Sequence, residues 1–162
     1  MKRVLGSPFH SLNRAVDMLC LNLGPEVDWT SLRTGQKRNM PAYSIHLQTP
    51  WRFSREGKIL LASRDIYEPF APDKVGEDWA YDLVGRPPEE GSLFDARVPE
   101  LSRTMAHATA AFYWISPLGD LNLEFSNGVC FQSFTPDSRK CEVWRLLDYR
   151  TGKHIVVFDT ET

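Results

Sequence analysis

Short runs of alternating apolar and polar residues, broken by Gly, Pro and Asn, recur along this chain. They are the period-two mark of half-buried β-strands. The clearest run is "DLNLEFSNGVCFQSF", Asp120 to Phe134. A three-residue loop at Ser126-Asn127-Gly128 sets Phe125 opposite Val129 and Leu123 opposite Phe131. Leu121, Leu123, Phe125, Val129 and Phe131 then share one face, and Gly128 takes the left-handed position. A two-residue Asn-Gly loop would scatter the same side chains over both faces, so the first register is expected. The stretch "QTPWRFSREGKILLASRDIY", Gln48 to Tyr67, obeys the same rule. A loop at Arg55-Glu56-Gly57 sets Phe53 opposite Ile59 and Trp51 opposite Leu61. Outward from there, Leu47 falls opposite Asp65, Ile45 opposite Tyr67 and Arg64 opposite Gln48. Pro50 offers no ladder donor, so this strand lies at an edge or is interrupted there.

Further strands are expected at Thr109–Ser116, Cys141–Asp148 and His154–Phe158. Val16–Leu23 is ambiguous, because Leu12, Val16, Leu19 and Leu23 also fall at helical spacing between Ser11 and Gly24. The alternation of Leu19, Leu21 and Leu23 favours a strand for its second half. One short helix is expected near Pro99–His107, with Pro99 at its first position and Leu101 four residues before Met105. The sum is a mainly β domain (α+β remains possible), an antiparallel meander or half-barrel sheet with one short helix. Two stretches lack a periodic pattern. Residues 24–41 read as a polar connector, and residues 68–100 as a long, acidic, proline-rich insertion in a single domain spanning 1–162. Long irregular segments of that kind are usually functional or disordered.

Charge sharpens the picture. The net charge of −2 conceals +5 over residues 1–60, −6 over 61–100 and −1 over 101–162. Partners feel such local fields more than the total. The basic cluster Arg33, Lys37 and Arg38 is too sparse for a nucleic-acid footprint at a pI near 6.1. No run approaches the ~20 apolar residues that span a bilayer, and the N-terminus has no signal-peptide core. Cys20, Cys130 and Cys141 form no CxxC pair and suit a reducing compartment, so a cytoplasmic location is expected.

Candidate chemistry is thin. No phosphate-cradling or nucleophile-elbow motif occurs. His10, His46, His107 and His154 are scattered, so neither a metal nor a cofactor is expected. A pocket over the Arg52 face could use His46 and Arg52 with Arg64 or Asp65, although the apolar pattern sets Arg52 and Asp65 on opposite faces of the hairpin. A polar outer surface explains them as well. The pairs Glu77-Asp78 and Glu89-Glu90 could serve acid–base chemistry, or simply face water. The segment "EPFAPDKVGEDWAYDLVGRPPEEGSLFD", Glu68 to Asp95, sets Trp79 and Tyr81 among carboxylates. Aromatics of that kind anchor interfaces. Alternatively, Trp79, Tyr81 and Phe94 cap one end of the core.

The combination "YSIHLQTPWRFSREGKILLASRD", "GDLNLEFSNG" and "EVWRLL" resembles a pattern of small uncharacterised bacterial proteins. It rests on Pro50, Trp51, Arg52, Gly57, Asp65, Gly119, Gly128 and Trp144, and it implies no activity, cofactor or site residue. In character the chain is similar to immunity proteins that neutralise antibacterial toxins. The expectation is therefore a non-enzymatic module that meets a basic protein through Trp79, Tyr81, Glu77, Asp78, Asp82, Glu89 and Glu90, with no nucleic acid or membrane as partner. The rival is a small enzyme using His46, Arg52, Arg64 and Asp65.

Overall fold

The structure is a computed structural model that describes residues 1–31, 33–82, 87–138 and 142–158. It is mainly β, with ten strands and one α-helix among the described residues. The strands are β1 (Phe9–Ala15), β2 (Met18–Thr30), β3 (Lys37–Leu47), β4 (Trp51–Arg55), β5 (Lys58–Ala62), β6 (Ala110–Ile115), β7 (Leu121–Phe125), β8 (Cys130–Ser133), β9 (Glu142–Asp148) and β10 (Lys153–Phe158). They form two antiparallel five-stranded sheets, ordered β1-β2-β3-β9-β10 and β5-β4-β8-β7-β6. The helix, α1, spans Leu93–Thr104. One core joins all three parts: Leu19, Leu21, Leu23 and Ile45 from the first sheet, Phe53, Leu61, Leu123 and Phe131 from the second, and Phe94 and Leu101 from α1.

The Asp120–Phe134 hairpin has the expected register. Leu123 pairs with Phe131, the Phe125 amide bonds the Val129 carbonyl, and Gly128 has φ +80°. The Gln48–Tyr67 hairpin departs from expectation. Its loop is two residues, Glu56 (φ +52°) and Gly57 (φ +76°), the mirror-image turn that matches strand twist. Arg55 therefore pairs with Lys58 and Ser54 with Ile59. A bulge at Leu60 then restores the core face, so Phe53 meets Leu61 rather than Ile59. Ile59 is left 57% exposed. The pairs Leu47–Asp65, Ile45–Tyr67 and Gln48–Arg64 do not form, because the chain changes sheet at Gln48–Pro50. Leu47 pairs with Leu19 in the first sheet, and β4 begins the crossing into the second at Trp51.

Residues 24–41 are not a connector. The described residues among them extend β2 and β3 into a hairpin arm in which Val27 pairs with Met40 and Trp29 with Arg38. Only one side of the arm packs, with Trp29 edge-on to Tyr149 at 5.6 Å, which is why its composition looks polar. Gly24 marks the bulge that starts the arm. Its φ is +86°, and a Cβ there would lie 2.9 Å from that of Ala42. Gly24→Ala should cost about 1–3 kcal/mol of stability, read as a lower urea midpoint. An unchanged midpoint would show that the backbone there relaxes freely.

The helix begins earlier than the proline suggests. Ser92 caps it by accepting from the Asp95 amide at 3.2 Å, and Pro99 sits inside it. The buried row is Phe94, Leu101 and the following Met105, with Val98 packed at the edge of the core. Proline in the interior masked a stripe at helical spacing.

Candidate functional site

Half-buried aromatics anchor the acidic segment, and its carboxylates face water. Its two ends are tied together. The Phe70 amide bonds the Gly91 carbonyl at 2.9 Å, the Leu93 amide bonds the Glu68 carbonyl at 2.8 Å, and Pro69 bridges to Ser92. Between these ends lie single 3₁₀ turns at Pro72–Lys74 and Pro88–Glu90. Trp79 is half-buried and donates from Nε1 to the Glu90 carbonyl at 2.8 Å. Tyr81 packs against the core and meets Tyr67 edge-on at 4.7 Å. The Tyr67 hydroxyl points to the Asp17 carboxylate at 3.4 Å. Burial, with Asp17 next, pushes this phenol above its ordinary range, so it stays a neutral donor.

Along the same segment Glu68, Asp73, Glu77, Asp78, Asp82 and Glu89 are exposed, and Glu90 is partly so. Phe70 is 50% exposed and Tyr67 is exposed beside it. The arrangement is thus intermediate between the two sequence readings. Phe94 lies in the core at 1% exposure, whereas Trp79 and Tyr81 remain at the surface.

Arg14 of β1 fastens the segment to the body. It grips Asp95 with two bonds, Nε to Oδ1 at 3.0 Å and Nη2 to Oδ2 at 2.7 Å. It also donates to the Tyr81 carbonyl at 2.9 Å. Nothing in the local sequence links Arg14 to residues 67 positions away, and Tyr67, Phe70 and Asp17 were equally hidden as partners. The Ser92-x-x-Asp95 capping pattern was the one legible signal here.

The four residues of the enzyme reading do not converge. His46 belongs to β3 in the first sheet, directly opposite Cys20 and Arg145. Arg52 belongs to β4 in the second, where Nε donates to Gln132 at 2.9 Å and the guanidinium lies 5.0 Å above the Phe134 ring. Arg64 is exposed on the turn after β5. Asp65 accepts from the Ala62 amide at 3.0 Å and lies 3.8 Å from Arg97. His46 lines a shallow cleft of about 300 Å³ with Met18, Gln48, Glu142 and Arg145, without Arg52, Arg64 or Asp65.

Burial, with Arg145 and His154 beside it, holds His46 below the ordinary imidazole range despite Glu142. Burial pushes the neighbouring Cys20 thiol up. A neutral thiol beside a neutral imidazole is not an activated nucleophile. Cys20 and Cys130 are free, and Cys141 lies outside the described residues. Among the described residues no three His, Cys, Asp or Glu side chains gather to hold a metal ion, and no helix is long and apolar enough to cross a membrane. The chain matches no protein-family model, no curated protein and no solved structure.

Proposed function

We propose that this chain is a non-catalytic protein-binding module whose segment 68–92 docks a basic protein, in the manner of an immunity protein occluding a toxin. One observation carries this reading: a segment whose ends are pinned carries six exposed carboxylates together with exposed Phe70 and half-buried Trp79 and Tyr81. Tyr67, Phe70, Trp79 and Tyr81 offer rigid apolar area that costs little entropy to immobilise. The carboxylates supply long-range attraction that speeds encounter with a cationic surface. Pinning lowers the ordering cost that a free loop would incur on binding. The mechanism is steric cover of the partner's working surface, with charge complementarity setting the register.

The test begins with the partner recovered from the source cell by the intact chain. Glu77→Lys, Asp78→Lys and Glu89→Lys together touch only exposed side chains. They should weaken binding roughly a hundredfold by interferometry, about 2.7 kcal/mol. Raising salt from about 0.05 to 0.5 M should weaken the wild type in the same direction. Growth rescue on co-expression with that partner tests the immunity reading itself. A partner without a basic face, or a triple variant that binds as tightly as wild type, would overturn the proposal.

A further inference from the structure

A second surface, sharing no residue with segment 68–92, lies where edge strands of the two sheets approach. Tyr113 of β6, Ile155 of β10 and Leu146 of β9 line a cleft of about 400 Å³ together with Tyr43. Ile155 pairs with Leu146 and so continues the core-facing row Leu21–Ile45–Leu146. Yet it is 48% exposed, because the core is open along this seam. The accessible part of this wall is Ile155 and the half-buried Tyr113, with Tyr43 and Leu146 buried behind them.

The rim of the cleft is cationic. Lys2, Arg3 and Lys153 surround it, against the single carboxylate of Asp148. That carboxylate is already occupied, by Arg150 at 3.3 Å and Arg3 at 3.5 Å. Lys2 and Lys153 have no ion pair among the described residues. The Tyr43 hydroxyl accepts from Arg150, while that of Tyr113 makes no hydrogen bond among the described residues. An apolar wall with unspent cations and one free phenol is the chemistry of a small-molecule site, and the volume lies in the usual range for one.

We infer that this cleft binds a small amphipathic anion. Its carboxylate or phosphate head would sit on Lys2 and Lys153, and its acyl or aryl body would lie against Tyr43, Tyr113, Leu146 and Ile155. The apolar body gains by burial, and the head gains because these ammonium groups have no ion-pair partner among the described residues.

The probes are decanoate, decyl phosphate, decan-1-ol and acetate, titrated into the full chain while the NMR resonances of Tyr113 and Ile155 are followed. Decanoate or decyl phosphate should shift both resonances saturably, and the tighter of the two identifies the head. Decan-1-ol should bind at least roughly tenfold more weakly, and acetate should shift neither resonance. Lys2→Glu with Lys153→Glu alters only exposed side chains. It should raise Kd for the anions roughly tenfold or more and leave the alcohol unaffected. Ile155→Asp should weaken all three long-chain probes. The inference is overturned if neither anion moves these resonances, if decan-1-ol matches the better anion, or if the double charge reversal leaves Kd unchanged.

Discussion

Replacing Trp144 by alanine should lower the stability of this protein by about 3–5 kcal/mol, the usual cost of emptying a large aromatic site. Folded domains of this size hold only about 5–15 kcal/mol in total, so the variant should be at the margin of folding. Trp144 is 1% exposed, lies on β9 of the first sheet, and donates from Nε1 to the Gly119 carbonyl at 2.8 Å. Gly119 belongs to the turn between β6 and β7 in the second sheet. One side chain thus fills the core and ties the two sheets. Trp144→Phe separates these roles, since it keeps a ring but orphans the carbonyl, for about 1–3 kcal/mol. Urea unfolding followed by far-ultraviolet circular dichroism measures both. A Trp144→Ala midpoint within experimental error of wild type would show that the bond and the packing contribute little.

The second large effect should come from Arg14. Arg14→Ala removes both bonds to Asp95, the bond to the Tyr81 carbonyl, and the guanidinium 5.9 Å from the Phe94 ring. Asp95 is 44% exposed, so solvent screening keeps the ion pair modest. With the backbone bond and the packing of the arginine stem, the loss should be about 1–3 kcal/mol. Hydrogen exchange should quicken at Tyr81 and across 68–82 before it does in the sheets.

The same clamp sets a pH dependence. Burial alone would raise the Asp95 pKa, but hydrogen bonds from Arg14 and Ser92 outweigh it and hold the carboxyl below its ordinary range. A carboxyl depressed on folding stabilises fully above its unfolded pKa, near 4, and loses that contribution as pH falls through the folded value. Wild type should therefore lose stability on acidification below about pH 4 more steeply than Asp95→Asn, which has no such proton to take up. Equal slopes would remove Asp95 from the account.

The architecture was legible because burial is one-sided. Leu121, Leu123, Phe125, Val129 and Phe131 announce their register, and a single-residue slip would divide them between the core face and solvent. The Gln48–Tyr67 register was misread because a bulge lets two residues oppose one, which alternation cannot show. The arm at 24–41 was missed because a strand packed on one side by only Val27 and Trp29 has the composition of a loop. The helix start was missed because Pro99 outweighs a weaker Ser-x-x-Asp signal when only local patterns are weighed.

The candidate surface was half legible. Tryptophan and tyrosine among carboxylates are visible in one dimension, as is the charge gradient that surrounds them. That Arg14, Asp17 and Tyr67 complete the surface is a consequence of topology. The supposed company of His46 and Arg52 failed for the same reason. A three-residue link carried them into different sheets, and periodicity does not register a change of layer.

The paired backbone bonds at Phe70–Gly91 and Glu68–Leu93 have a consequence for how this molecule can change. A loop closed at its base communicates little of its own length to the scaffold, and doubling such a length costs only about 0.6 kcal/mol in closure entropy. On the proposed function, recognition could thus be rewritten by insertion between Phe70 and Trp79, where Tyr81 keeps its bond to Arg14 and its packing on Tyr67 and the strand registers stay as they are. Neck and Arg14 clamp would then act as a socket, with the stretch between them as its exchangeable fitting.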